Sequence, residues 1–219
     1  MFHRLGALIP GLAVLSLLGA CAGRDTAAER CLDRLGSQKV DFTTATLQVE
    51  NSSCKIVNPV RVTRAAMSWK PAGLLACGFA SRFDEFLLDT AEPLARERLH
   101  SSIRSMRQLG TYSCRRILGS SHMSEHAKGI AIDVAGFELA NGDYVSVESD
   151  WRAGNAKARF WHEFAHAACK HFSVVMTPDS NRDHHNHIHI DSGPRHSCGA
   201  RAEDDPPEPG WSGEIAAEE

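Results

Sequence analysis

The spacing of apolar residues along the chain predicts three helices. The first lies near residues 27–35 and ends at Gly36, and the second covers residues 74–88. The third runs from about residue 154 to 172, where large and small apolar residues recur at the spacing of one helical face. Each pattern is typical of an amphipathic helix that packs against a core.

A β-hairpin is predicted between two apolar-rich segments, residues 130–139 and 143–147. They flank Asn141-Gly142, a pair that tolerates positive φ in a two-residue turn. A last strand is predicted at residues 187–191. These elements indicate an α+β domain, in which helices flank a small antiparallel sheet.

The composition is that of a folded protein with one sizeable domain in its 219 residues. Hydrophobic residues make up 42% and charged residues 23%, so a core can form and disorder is not the default. The net charge is -3 and no Lys/Arg stripe is present. Nucleic acid is therefore not an expected partner, because phosphate affinity depends on clustered cations.

The N-terminus predicts export and a lipid anchor. After Arg4, residues 5–18 form a charge-free run. A bilayer-spanning helix needs about 20 apolar residues, whereas the apolar part of a secretory signal needs about 7–15. The run ends in LGAC, which resembles a bacterial lipobox whose cysteine, here Cys21, is lipidated. An ordinary signal peptide is the alternative.

This interpretation divides the chain into four parts. We expect a signal peptide (1–20), a tether (21–30), a folded domain (31–198) and an acidic, disordered tail (199–219) whose composition cannot bury enough apolar surface. The protein would sit on the periplasmic face of the cell envelope. The outer membrane is favoured over the inner one, because Ala22 rather than Asp follows the cysteine.

Six cysteines remain if Cys21 carries lipid, and in an oxidising periplasm an even number suits up to three disulfides. We expect all six to be oxidised, with Cys31 and Cys54 as one pair because they bracket the first helix and strand. No Cys-x-x-Cys pair is present, which argues against a zinc ribbon or a thioredoxin-like site.

Two segments carry candidate metal ligands, residues 124–133 (SEHAKGIAID) and 183–189 (DHHNHIH). His187 and His189 are two apart on the predicted strand, so both can point to one site. His126 precedes the hairpin and Asp133 lies on its first strand. Two His and one Asp form a three-ligand set, and a catalytic zinc keeps its fourth position for water. A solvated polar loop is the alternative for the histidine-rich segment.

These segments resemble known metallopeptidases. Ser-x-His-x-x-Gly-x-Ala-x-Asp followed by His-x-His is similar to the LAS superfamily, which includes lysostaphin-type enzymes, D-Ala-D-Ala peptidases, penicillin-insensitive murein endopeptidase and the hedgehog signalling domain. A closer resemblance, over about residues 31–198, is to the bacterial extensin-like C-terminal family. The residues that carry it are YSCR (112–115), SEHA (124–127), DVAGF (133–137), DW (150–151) and the closing histidines.

The resemblance implies that His126, Asp133 and His189 bind Zn²⁺. It also implies that His187 and His184 are the additional active-site histidines of the murein endopeptidase, which flank the water that the metal activates. A neutral imidazole can accept a proton from such water.

Arg115 resembles an Arg of the D-Ala-D-Ala peptidases that could stabilise an oxyanion or a substrate carboxylate; a surface salt bridge is the alternative. The Glu-x-x-His general-base motif of those enzymes is missing, since Asn186 and His185 precede His187. His187 or His184 would then act as the general base.

A second zinc motif occurs in residues 162–166 (HEFAH), which match the zincin signature H-E-x-x-H. Phe160 and Phe164 define the inward face of the predicted helix, and His162 and His166 fall off its centre. A solvated helix is therefore favoured, with the zincin as the runner-up metal site.

The residues and the resemblance together predict a zinc-dependent peptidoglycan peptidase that hydrolyses amide bonds in stem peptides. An endopeptidase is favoured over a carboxypeptidase. Two alternatives stay open: a non-catalytic, zinc-stabilised cell-wall binding module of the same fold, and an envelope scaffold in which metal is incidental.

Overall fold

A computed structural model describes residues 26–200, and it confirms the α+β fold class. The predicted signal peptide, the lipid attachment at Cys21 and residues 201–219 of the predicted acidic tail lie outside the described residues. Between Thr26 and Ala200, no helix has both the length and the apolar character needed to cross a membrane.

Five α-helices form within residues 26–200. A capping box starts the first of them inside the predicted tether, since Thr26 accepts a hydrogen bond from the backbone N–H of Glu29 and the Glu29 carboxylate accepts one from Thr26. A π-helical segment, Leu87–Ala91, joins the second helix to the third. The helices are α1 (Ala27–Ser37), α2 (Cys77–Phe86), α3 (Glu92–Leu99), α4 (Val147–Asp150) and α5 (Ala156–His171).

The same residues form one nine-stranded sheet, which is larger than the small antiparallel sheet predicted. Its strands are β1 (Asp41–Thr44), β2 (Pro59–Arg64), β3 (Ser68–Ala76), β4 (Ile103–Gly110), β5 (Ala131–Leu139), β6 (Tyr144–Ser146), β7 (Val174–Met176), β8 (Ile188–Asp191) and β9 (Ser197–Cys198). The order is β1-β2-β3-β4-β5-β8-β7-β9, with β6 also paired to β5. The pairs β3–β4 and β7–β9 are parallel and the others antiparallel.

The hairpin, the first and third helices and the last strand are confirmed. The predicted start of the second helix is wrong, because Leu74 and Ala76 belong to β3. The N–H of Leu74 donates to Thr111 Oγ1 at 3.0 Å, and that of Ala76 donates to the carbonyl of Gly129 at 2.8 Å. The short apolar run fits a buried strand as well as a helix, and these contacts favour the strand.

An extra residue in β5 determines which side chains face the core. Gly136 pairs with Arg107, but Val134 already pairs with the next residue of β4, so Ala135 has no partner there and forms a bulge. Val134 and Phe137 therefore both point into the apolar core, where α2 and α5 pack on the sheet. Asp133 consequently points to the opposite, open face.

All six cysteines of the described chain form disulfides, as expected. The pairs are Cys31–Cys77, Cys54–Cys114 and Cys169–Cys198. The predicted pair of Cys31 with Cys54 is wrong. Cys31 lies on α1 where it packs against the start of α2, whereas Cys54 lies beside the segment after β4, where the Tyr112 hydroxyl donates to its carbonyl at 3.1 Å.

Candidate metal centre

Strand register brings two of the predicted ligands together. Asp133 on β5 lies directly opposite His189 on β8, and on its other side it lies opposite Gly110 of β4. A Cβ atom at Gly110 would lie 3.0 Å from Asp133 Oδ2, so glycine leaves the room that the carboxylate needs. The two ligands thus share the open face of the sheet.

The third predicted ligand, His126, lies on a short 3-10 turn, Glu125–Lys128. Ser124 caps this turn by accepting a hydrogen bond from the backbone N–H of His126. Gly129 ends it at a φ of 66°, and a Cβ there would lie 2.9 Å from the Ile56 side chain. The turn sets His126, which is only 3% exposed, against the strand pair.

Three polar atoms converge between these residues. His126 Nε2 lies 3.1 Å from His189 Nδ1 and 3.2 Å from Asp133 Oδ1, and His189 Nδ1 lies 2.9 Å from Asp133 Oδ1. Tetrahedral zinc with bonds near 2.0–2.1 Å would separate its ligand atoms by about 3.3 Å. The triangle is within a few tenths of an ångström of that spacing, so the residues fit such an ion.

Outer hydrogen bonds determine where the imidazole protons lie. His126 Nδ1–H donates to the Thr111 carbonyl at 2.6 Å, and His189 Nε2–H donates to the Asp191 carboxylate at 3.0 Å. The remaining ring nitrogens therefore direct lone pairs at Asp133 Oδ1. Three acceptors this close need a cation between them, either a metal ion or an added proton.

The electrostatics of the centre fit this arrangement. Burial alone would raise the pKa of Asp133, but the imidazoles of His126 and His189 close to its Oδ1 hold it well below its ordinary value. Burial likewise opposes a charged His189, yet its bonds to Asp133 and Asp191 raise its pKa to about 9. In the metal-free state His189 thus takes up the added proton.

His187 and His184 lie beside the three ligands. His187 Nε2 is 3.5 Å from Asp133 Oδ1, and the imidazole rings of His187 and His184 lie 5.0 Å apart. His184 Nδ1 donates to Asn181 Oδ1 at 2.7 Å, which leaves its Nε2 with a lone pair. Burial lowers the pKa of both histidines, to about 4 for His184, so both rings are neutral at neutral pH.

With this geometry in place, one comparison is decisive: residues 29–200 match the family described as "Extensin-like protein C-terminus". The chain belongs to the extensin-like C-terminal family. No curated protein and no solved structure matches it significantly. The family match covers nearly the whole described part of this extensin-like chain and includes the three converging residues.

Arg115 of the extensin-like chain does not join the centre. It is exposed, and its guanidinium donates to the carbonyl of Arg116 at 3.5 Å rather than to any of the three ligands. Its backbone is close to the site, because the N–H of Ser124 donates to the Arg115 carbonyl at 3.1 Å. Arg115 therefore lies at the base of a loop that leads into the His126 turn.

The H-E-x-x-H residues have other partners. His162 Nε2–H donates to the Trp151 carbonyl at 3.0 Å and its ring packs on Trp151, while Glu163 pairs with Arg98 at 2.8 Å. Within residues 26–200, the convergent group of metal-ligand types contains neither His162 nor His166. This geometry favours the helix interpretation over the zincin.

Two residues of the centre were not identified from the sequence. Asp191 could have been, because it lies two positions after His189 and alternate residues of a strand share a face. It is 3% exposed, and its Oδ1 also accepts from the backbone N–H of Gly193 at 2.8 Å. Thr111 acts through its backbone carbonyl, and a backbone contact of this kind leaves no recognisable residue pattern in the sequence.

Proposed function

We propose that this extensin-like protein is a zinc-dependent peptidoglycan peptidase, similar to the LAS metallopeptidases. It would hydrolyse amide bonds in stem peptides, with cross-links favoured over terminal residues. The observation that carries the proposal is the convergence of His126, Asp133 and His189 lone pairs beside two neutral histidines.

His126, Asp133 and His189 would hold the ion, which in such a three-ligand site polarises a carbonyl and activates water. Thr111 and Asp191 fix both imidazoles in the tautomer that directs a lone pair inward. These outer contacts favour a preorganised site, because neither ring has to turn before it binds.

His187 would act as the general base of the proposed reaction. Its pKa is lowered by burial, so it is neutral at neutral pH, and its Nε2 points toward Asp133. It can accept a proton from the attacking water at Nε2 and return it to the leaving amine. His184, whose ring is 5.0 Å away, is the second proton acceptor in reach of this position.

We also propose that Cys21 anchors the protein by lipid to the periplasmic face of the envelope. The support is the short apolar N-terminal run that ends in LGAC. Cys21→Ser should leave an unprocessed precursor or release the protein from membranes. A wild-type protein found wholly in the soluble periplasmic fraction would contradict the anchor.

The test of function is incubation of zinc-loaded protein with defined muropeptides, followed by mass analysis. Cross-linked dimers should be converted to monomers, and Asp133→Ala should abolish the conversion. Release of only a terminal D-Ala from pentapeptides would indicate a carboxypeptidase. Binding of muropeptides without any cleavage would contradict the peptidase and support the cell-wall binding module.

A further inference from the structure

A row of residues that includes two cations crosses the open face of the sheet near the candidate metal centre. Strand register places Lys70 of β3 beside Arg107 of β4, and Arg107 beside Gly136 of β5. Gly136 is three positions after Asp133 on the same strand, a separation of roughly 10 Å at about 3.3 Å per residue. The bulge at Ala135 puts this row and Asp133 on the same face.

Tyr144 of β6 covers this row. A methyl group at Gly136 would collide with the Tyr144 hydroxyl, so the ring lies across the glycine. Burial raises the pKa of Tyr144, and the nearby positive charge of Arg107 opposes that shift. The guanidinium is therefore placed beside an aromatic side chain that is 39% exposed, and arginine packs favourably against aromatic rings.

The charges around the row leave one cation without a carboxylate. Glu138 accepts from Lys70 at 2.8 Å and from Arg104 at 3.2 Å, so those two cations share one acid. Asp150, the other acid near Tyr144, accepts from the backbone N–H of Ser146. Among the described carboxylates, none forms an ion pair with Arg107.

We propose that Arg107, with Tyr144 and Lys70 beside it, binds a free carboxylate of an acidic peptide whose scissile amide lies at the His126 centre. This inference rests on the proposed peptidase function and names its substrate class. Extended chains span about 3.3–3.6 Å per residue, so roughly 10 Å corresponds to about three residues. A guanidinium binds a carboxylate by two parallel hydrogen bonds.

The experiment measures binding separately from cleavage. Zinc-loaded protein is titrated calorimetrically with a stem tripeptide, which lacks D-Ala bonds, and with the same tripeptide after its carboxylates are amidated. The acidic form should bind about 10- to 100-fold more tightly, the range for hydrogen bonds to charged groups. Arg107→Gln should remove this difference, and Arg107→Lys should restore part of it.

Arg159→Gln is the matched control, because it removes the same charge from an exposed position on α5, which packs on the other face of the sheet. It should bind both tripeptides as the wild type does. Equal affinity of the wild type for the acidic and amidated forms would overturn the inference, as would an Arg107→Gln protein that still prefers the acid.

The outcomes also separate this inference from the proposed function. Cleavage of muropeptides that is insensitive to Arg107→Gln would leave the peptidase in place and overturn the carboxylate site. Charge-dependent binding that is lost in Arg107→Gln, without cleavage by the wild type, would support the carboxylate site and contradict the peptidase.

Discussion

Replacement of Asp191 by Asn is expected to weaken zinc binding without removing any metal ligand. The Asp191 carboxylate accepts His189 Nε2–H through one oxygen, at 3.0 Å, and the Gly193 N–H through the other, at 2.8 Å. An amide has only one oxygen. In Asp191→Asn, the amide NH₂ must therefore face one of two N–H donors inside a buried site.

The size of the effect follows from two losses. A charge-assisted hydrogen bond is about twice as strong as a neutral one. Replacing the carboxylate by an amide should therefore weaken the hydrogen bond from His189 by about 1 kcal/mol. A buried donor without an acceptor costs about 1–3 kcal/mol, part of which relaxation recovers. At about 1.4 kcal/mol per tenfold change, we expect zinc affinity to fall about 10- to 100-fold, the range seen when outer-sphere partners of metal ligands are removed.

The assay is competition for zinc against a chromophoric chelator at pH 7.5, with circular dichroism to show that the variant is folded. Asp183→Asn is the control, because it removes the same charge from an exposed residue on the turn that precedes β8. Its affinity should stay close to that of the wild type. Equal affinities of Asp191→Asn and wild type, or an equal loss in Asp183→Asn, would refute this role of Asp191.

Three further predictions test the centre. His187→Ala should keep about one zinc per chain while muropeptide cleavage slows by about 100- to 10,000-fold, as expected for lost general-base assistance; loss of the zinc would instead make it a ligand. Because the pKa of His189 is raised to about 9 in the metal-free state, zinc must displace its proton. Chelator competition should therefore show zinc affinity rising about tenfold per pH unit between about pH 7 and 8.5, and a flat profile would contradict this. Gly110→Ala places a methyl group 3.0 Å from Asp133 Oδ2 and should weaken zinc binding about tenfold or less in a protein that still melts cooperatively.

Local patterns predicted the elements whose stabilising contacts are close in sequence. The turn at Asn141-Gly142 lies between β5 and β6, and α5 presents the apolar stripe that its periodicity indicates. The apolar run at Leu74 and Leu75 wrongly predicts a helix. A short run of this kind also fits a buried strand, and the sheet partners that favour the strand are distant in the chain.

The ligand set could be proposed from residue type and spacing, but its geometry could not. That Asp133 faces His189 depends on the pairing of β5 with β8, and its position on the open face depends on the bulge at Ala135. The disulfide partner of Cys31 could not be predicted from the sequence either, because α1 meets α2 only in the folded chain. Such long-range contacts leave no local pattern in the sequence.

Zinc content per chain tests the metal centre most directly. Purified wild-type protein, measured by atomic emission after dialysis, should hold about one zinc, and His126→Ala, Asp133→Ala and His189→Ala should each hold almost none, since two ligands do not retain zinc in an open tetrahedral site. The double variant His162→Ala with His166→Ala should keep its zinc. A double variant that loses zinc while His126→Ala retains it would contradict the account and place the ion on α5.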